Sequence, residues 1–233
     1  MASFRKDILQ QIESIDAGRI FTFQDLSFDM DKMANVAVLL SEQSRKGLLV
    51  RIEKGAYYRP RKSSLGLGEL PVYQDEQFRY LTQKLDGYIT GPYVYNKMGL
   101  TEQVATTVTI ATLHPVRRFR FKNLDVECVK AYSPAYRDED NIPYLRLLDA
   151  AKDIKHIPGC TQQDVYNRMK NQYLRGFSTE QLRKVISLAK DYPPRVRKVL
   201  ADLLGERKEA DLQKEMLRTL LPTTRFSLNY TTI

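Results

Sequence analysis

The hydrophobic pattern changes period within the first sixty residues, and that change limits the folds open to the chain. Phe4, Ile8, Ile12 and Ile15 fall at spacings of four, four and three, one apolar stripe of a helix. Asp16-Ala17-Gly18 is a helix stop. Arg19-Ile20-Phe21 reads as a short extended piece, and Thr22 with Asp25 as a capping box opening a short second helix. Residues 31–46 predict a third helix with Met33, Val36 and Leu40 inward and Gly47 at its end. Leu48–Ile52 and Ala56–Arg59 then read as two strands around a Glu53-Lys54-Gly55 turn, a hairpin closed by Pro60. Helix, strand, helix, helix, hairpin is the order of a winged helix-turn-helix, in which the third helix can enter a major groove and the hairpin can reach the backbone.

The rest of the chain divides by composition. Residues 63–74 include Ser63-Ser64-Leu65-Gly66-Leu67-Gly68 and read as a linker. Residues 75–132 alternate short helical and strand patterns, a small α/β unit, with strands expected at 106–113, 117–121 and 125–130. Residues 133–143 are polar with two prolines, a loop. Residues 144–233 predict a helical, basic domain, with Thr161/Asp164 and Ser178/Gln181 as caps. Its tail alternates Phe226, Leu228 and Tyr230 with Ser227, Asn229 and Thr231, an extended segment. The fold class expected is α+β: an N-terminal winged helix-turn-helix (1–62), a small central α/β unit and a helical C-terminal part.

Charge points to a partner. The chain carries a net +9. Residues 151–233 hold 16 basic and 9 acidic side chains, a net of +7, against +1 in each earlier third. Within the first third, Arg45, Lys46, Arg51, Lys54, Arg59, Arg61 and Lys62 face Glu53 alone. Basic stripes of this kind suit a polyanion. On the third helix Lys32, Asn35, Ser41 and Arg45 are candidates for base edges or nearby phosphates. Arg51, Lys54, Arg59, Arg61 and Lys62 are candidates for the backbone. Arg168, Lys170, Arg175, Arg183, Lys184, Arg195, Arg197 and Lys198 form a second basic set. One copy offers few readers, so dimerisation on DNA would help. The competing assignment is a winged helix that binds a protein rather than DNA.

Other chemistry is thinly represented. His114, His156, Cys128 and Cys160 are scattered singly without the paired spacing of a zinc site. Gly66-Leu67-Gly68 falls short of a dinucleotide fingerprint. Asp138-Glu139-Asp140 reads as a solvated turn, and the aromatics of Tyr88–Tyr95 as core packing. No nucleophile, base and orienting group assemble, so no enzyme activity, cofactor or metal is expected. No apolar run approaches a membrane span, and residues 1–7 lack a signal-peptide core. Two cysteines in this length suit a reducing compartment, so a cytoplasmic location is expected.

Several segments, taken in order, resemble the AbiEi-like antitoxins of bacterial type IV toxin–antitoxin (abortive infection) systems. They are Gly18–Leu26 (GRIFTFQDL), Arg45–Tyr58 (RKGLLVRIEKGAYY), Thr90-Gly91-Pro92 with Met98–Gln103 (MGLTEQ), Leu147–Ala150, Lys152–Ile154, Ile157-Pro158 and Tyr192–Arg197 (YPPRVR). The resemblance implies a DNA-binding repressor of its own operon that acts as antidote to a nucleotidyltransferase-type toxin. It implies DNA binding by the N-terminal winged helix. To the C-terminal part it implies antitoxin action and cooperative DNA binding.

Overall fold

The computed structural model describes residues 2–66 and 68–223. The extended tail expected over 226–231 lies outside the described residues. The architecture is mixed α+β, in two compact units, residues 1–84 and 85–233.

In the first unit α1 (Ala2–Ser14) buries Ile8 and Ile12, as its stripe requires. Strand β1 (Ile20–Thr22) follows. Helix α2 (Met33–Arg45) precedes strands β2 (Val50–Glu53) and β3 (Ala56–Tyr58). The three strands form an antiparallel sheet in the order β1-β3-β2, with Phe21 and Arg51 both opposite Tyr57. A bulge between Arg51 and Glu53 bends β2. Ile8, Ile12, Phe21, Leu26, Val36, Leu39, Leu40, Leu49 and Tyr57 form the core.

Two expectations for this unit are corrected. The short second helix is a single 3-10 turn, Phe23–Asp25, followed by a second, Met30–Lys32. Thr22 and Asp25 do form the capping box, but the intervening Leu26-Ser27-Phe28-Asp29 continues no helical stripe, so no α-helix propagates. On α2 the buried face is Val36, Leu39, Leu40 and Gln43, while Met33 is 37% exposed. The apolar face is therefore rotated toward Leu39.

The segment expected as a linker is ordered by pairing. Strands β4 (Arg61–Lys62) and β5 (Glu69–Leu70) form a two-residue ladder. Helix α3 (Gln74–Lys84) belongs to the first unit rather than to the central α/β part. Its Glu76 Oε1 accepts from the Ile20 N–H at 2.6 Å, and Arg79 Nη2 donates to the Ile20 carbonyl at 2.7 Å. Arg79 and Glu76 also pair with each other. Two side chains thus satisfy both backbone groups of Ile20 on edge strand β1, in place of another strand.

In the second unit β6 (Gly87–Thr90), β7 (Thr107–Thr112), β8 (Arg118–Phe121) and β9 (Leu124–Lys130) form a sheet ordered β6-β7-β9-β8. β7 and β9 are parallel; the other pairs are antiparallel. Helix α4 (Pro92–Lys97) starts at Gly91, whose φ is 74°. A Cβ there would lie 2.6 Å from Thr109 Oγ1, so both conformation and space demand glycine. Helices α5 (Ile142–Asp153), α6 (Gln162–Arg168), α7 (Thr179–Ala189), α8 (Pro194–Glu206) and α9 (Ala210–Arg218) follow. The Thr161/Asp164 and Ser178/Gln181 capping boxes open α6 and α7.

The central and helical parts share one core, running from Tyr88 and Tyr95 through Leu147, Val165 and Val185 to Val199 and Met216. They are not separate bodies. The polar stretch 133–143 is correspondingly built in. It holds two 3-10 turns, Pro134–Arg137 and Glu139–Asn141, with Tyr136 and Asn141 buried. Asn141 Nδ2 donates to the Ala135 carbonyl at 2.8 Å, and Asp138 caps the second turn. The pattern over Thr161–Tyr173 predicts one helix, but α6 passes into a π-helical turn, Met169–Tyr173, and then a 3-10 turn, Leu174–Gly176.

Candidate nucleic-acid interface

Helix α2 presents the face its core residues leave outward. Asn35 and Arg45 are exposed, and Ser41 is half-buried on the same side. Val38, between them, is 59% exposed. Glu42 sits on this face but is held by Arg5 at 2.5 Å. The hydrogen bond from the Arg5 guanidinium keeps its carboxyl below the usual range. Its charge toward any polyanion is partly cancelled. Lys32 lies just before the helix, paired with Asp29 at 2.7 Å and stacked over the Phe4 ring at 5.4 Å.

The hairpin cations separate into two groups. Arg51, Lys54 and Lys62 are exposed, with Lys54 in the β2–β3 turn. Arg51 Nε donates to the Glu53 carbonyl at 3.2 Å. Arg59 and Arg61 serve the fold. The Arg59 guanidinium donates twice to the Ile15 carbonyl, at 3.1 and 2.5 Å, satisfying the C-terminal end of α1. Arg61 lies 3.5 Å from the Tyr73 ring centroid. A Cβ on Gly18 would fall 2.5 Å from its Nε, and Gly18 has φ 87°. That glycine leaves the room the stacked guanidinium occupies.

The second basic set divides the same way. Arg168 donates to the Gly99 carbonyl at 3.0 Å, and Lys170 pairs with Glu206. Arg197 donates to the Thr219 carbonyl at 2.6 Å, closing the C-terminal end of α9. Lys198 pairs with Asp202 at 2.5 Å, four residues on. Arg175, Arg183, Lys184 and Arg195 are exposed. The eight residues therefore do not form one uninterrupted cationic face.

A groove of about 990 Å³ opens in the first unit, lined among others by Phe23, Met33, Glu53, Lys54, Tyr80 and Lys84. Glu53 accepts from Tyr80 and pairs with Lys84. Burial, followed by the Glu53 hydrogen bond, pushes the Tyr80 hydroxyl well above its ordinary value.

A buried polar cluster in the second unit is centred on an acid to which the sequence pattern assigns no role. Asp149 on α5 is 1% exposed. It accepts from the Tyr88 hydroxyl at 2.8 Å, Thr90 at 2.7 Å and Tyr192 at 3.0 Å. Burial raises its carboxyl above the ordinary value despite these donors. Burial, and then Asp149 itself, pushes the Tyr88 and Tyr192 hydroxyls up. Arg146 reaches the Ile89 carbonyl at 2.9 Å. The cluster joins β6, α5 and the α7–α8 connection in the core. Its signal in the sequence was one acid at an inward position of a helix. The second omission is the basic β8–β9 hairpin, whose signal was Arg117-Arg118-Phe119-Arg120-Phe121-Lys122, four cations in six residues with no acid.

No protein-family model matches the chain, and no curated protein matches it. Among solved structures, the chain is similar to the RV2827C protein from Mycobacterium tuberculosis. The two are 14% identical over 98% of this chain and 87% of that one, with a TM-score of 0.49.

Proposed function

We propose that the chain is a DNA-binding transcriptional regulator, with a winged helix in its first unit. In this reading α2 lies in the major groove, with Asn35, Ser41 and Arg45 at base edges or adjacent phosphates. The β2–β3 turn is the wing, and Arg51, Lys54 and Lys62 hold the backbone. The observation that carries this reading is the shared outward face of Asn35, Ser41 and Arg45, on which the one acid, Glu42, is already engaged by Arg5. The AbiEi-like resemblance extends it. The DNA would be the promoter region of the chain's own operon, and the protein would be antidote to a nucleotidyltransferase-type toxin.

A second reading has an observation of its own. Met30 is 74% exposed, and Met33 and Val38 also reach solvent on or beside α2, as a protein-binding helix would present them.

Fluorescence anisotropy on the duplex just upstream of the gene, against a scrambled duplex, separates the two. DNA readout predicts preference for the upstream duplex. The double variant Asn35→Ala, Ser41→Ala should bind both duplexes alike, because each good base contact contributes about 1–3 kcal/mol of discrimination. Equal binding of both duplexes by the unmodified protein would sink base-specific readout and favour the protein-binding helix.

A further inference from the structure

We infer that the second unit carries a phosphate-backbone contact of its own, the β8–β9 hairpin, and that its partner is duplex DNA. The inference rests on the DNA-binding reading above and assigns it a second surface. β8 is an edge strand of the sheet, with β9 on one side only. Alternation sorts its residues cleanly. Phe119 and Phe121 stand opposite Val126 and Leu124, with Phe121, Val126 and Leu124 buried. Arg118 and Arg120 stand opposite Glu127 and Asp125 on the other face, 80% and 72% exposed. Arg117, exposed, precedes the strand with its guanidinium 5.1 Å from the Phe119 ring. Lys122 occupies the two-residue turn Lys122-Asn123. Four cations therefore crowd one hairpin.

The two acids on β9 engage two of the four cations and leave the hairpin with a positive excess. Arg118 gives Glu127 both Nε and Nη2, at 2.9 and 2.5 Å, whereas Arg120 makes a loose, exposed contact with Asp125 at 4.0 Å and a bond to the Lys122 carbonyl at 3.3 Å, both readily exchanged for a phosphate. Arg117 and Lys122 meet no acid among the described residues. Charges also guard an open edge against self-association, and here they extend beyond the strand, to Arg117 before it and Lys122 in the turn.

The turn supplies an independent observation. Lys122 has φ 54°, in the region where glycine or asparagine is cheaper than lysine. The two-residue turn calls for that conformation, and it places the Lys122 side chain at the exposed tip of the hairpin. The guanidinium forks of Arg118 and Arg120, with Lys122 beyond them, suit successive phosphates.

The test uses the full chain, the upstream duplex and a salt series. The variant Arg117→Ala, Arg118→Ala, Arg120→Ala, Lys122→Gly is compared with Arg51→Ala, Lys54→Ala. The single variant Lys122→Gly relieves the turn and removes one charge, so it separates loss of contact from loss of fold. Each lost phosphate contact lowers the slope of log K against log salt by about 0.9. The hairpin variant should lose about 3.6 in slope, about 0.9 for each of its four cations, and Lys122→Gly about 0.9 with an unchanged or raised thermal midpoint. A hairpin variant that binds like the unmodified protein, while the β2–β3 variant weakens, would overturn the hairpin and leave the first surface standing. The reverse pattern would support the hairpin and remove the first surface. Failure of the unmodified protein to bind duplex DNA even at low salt would overturn both.

Discussion

Asp149 is a buried acid in the core of the second unit. Three hydroxyls converge on its carboxylate away from water. Asp149→Ala leaves them to find new partners and should cost about 3 kcal/mol in urea unfolding. Its pH signature has a defined sign. A carboxyl raised in the folded state contributes stability below its unfolded value, and that contribution is lost as pH rises through the folded value. Asp86, lowered chiefly by Arg137, and Glu206, lowered chiefly by Lys170, act oppositely: their contributions are lost as pH falls through their folded values. Asp149→Asn removes the opposing contribution. Stability should then rise more steeply from about pH 4 toward neutrality than in the unmodified protein. An equal or shallower rise, followed by urea midpoints across that range, would contradict the assignment. None of this was legible in the sequence, because an acid in a helix announces its neighbours only after the strands are placed beside it.

Elements were legible where local chemistry decides them. The Ile8/Ile12 stripe, the two strands around Gly55 and the capping boxes at Thr161 and Ser178 follow from nearby residues. What failed had one local cause and one distant cause. The 3-10 turn after Thr22 has a capping box but no continuing apolar stripe. Helix α3 was assigned elsewhere, since nothing local shows Glu76 and Arg79 holding Ile20. That clamp predicts a separable effect. Glu76→Ala with Arg79→Ala should destabilise the protein by about 2 kcal/mol in denaturant titration and expose the edge of β1. Concentration-dependent association in sedimentation velocity should accompany it. A variant that is destabilised but strictly unchanged in association would show that β1 needs no cover.

At the scale of the molecule, charge count and charge availability differ. The sequence located the cations, but the fold divides them. Arg59, Arg61 and Arg197 serve helix ends or stacking, while Arg45, Arg51, Lys54 and Lys62 reach water. That division could not be read from spacing, because long cationic side chains fold back onto carbonyls and rings supplied by other segments. It also makes the DNA-binding claim testable with a matched control. The most direct measurement is the salt dependence of duplex binding for the unmodified protein, for Arg45→Ala with Arg51→Ala and Lys54→Ala, and for Arg59→Lys. The account predicts that the triple variant loses about 3 in the slope of log K against log salt. Arg59→Lys should keep the slope and lower only the thermal midpoint. Equal slopes for the triple variant and the unmodified protein would contradict the account, because the exposed cations of α2 and the β2–β3 hairpin would then be touching no phosphate.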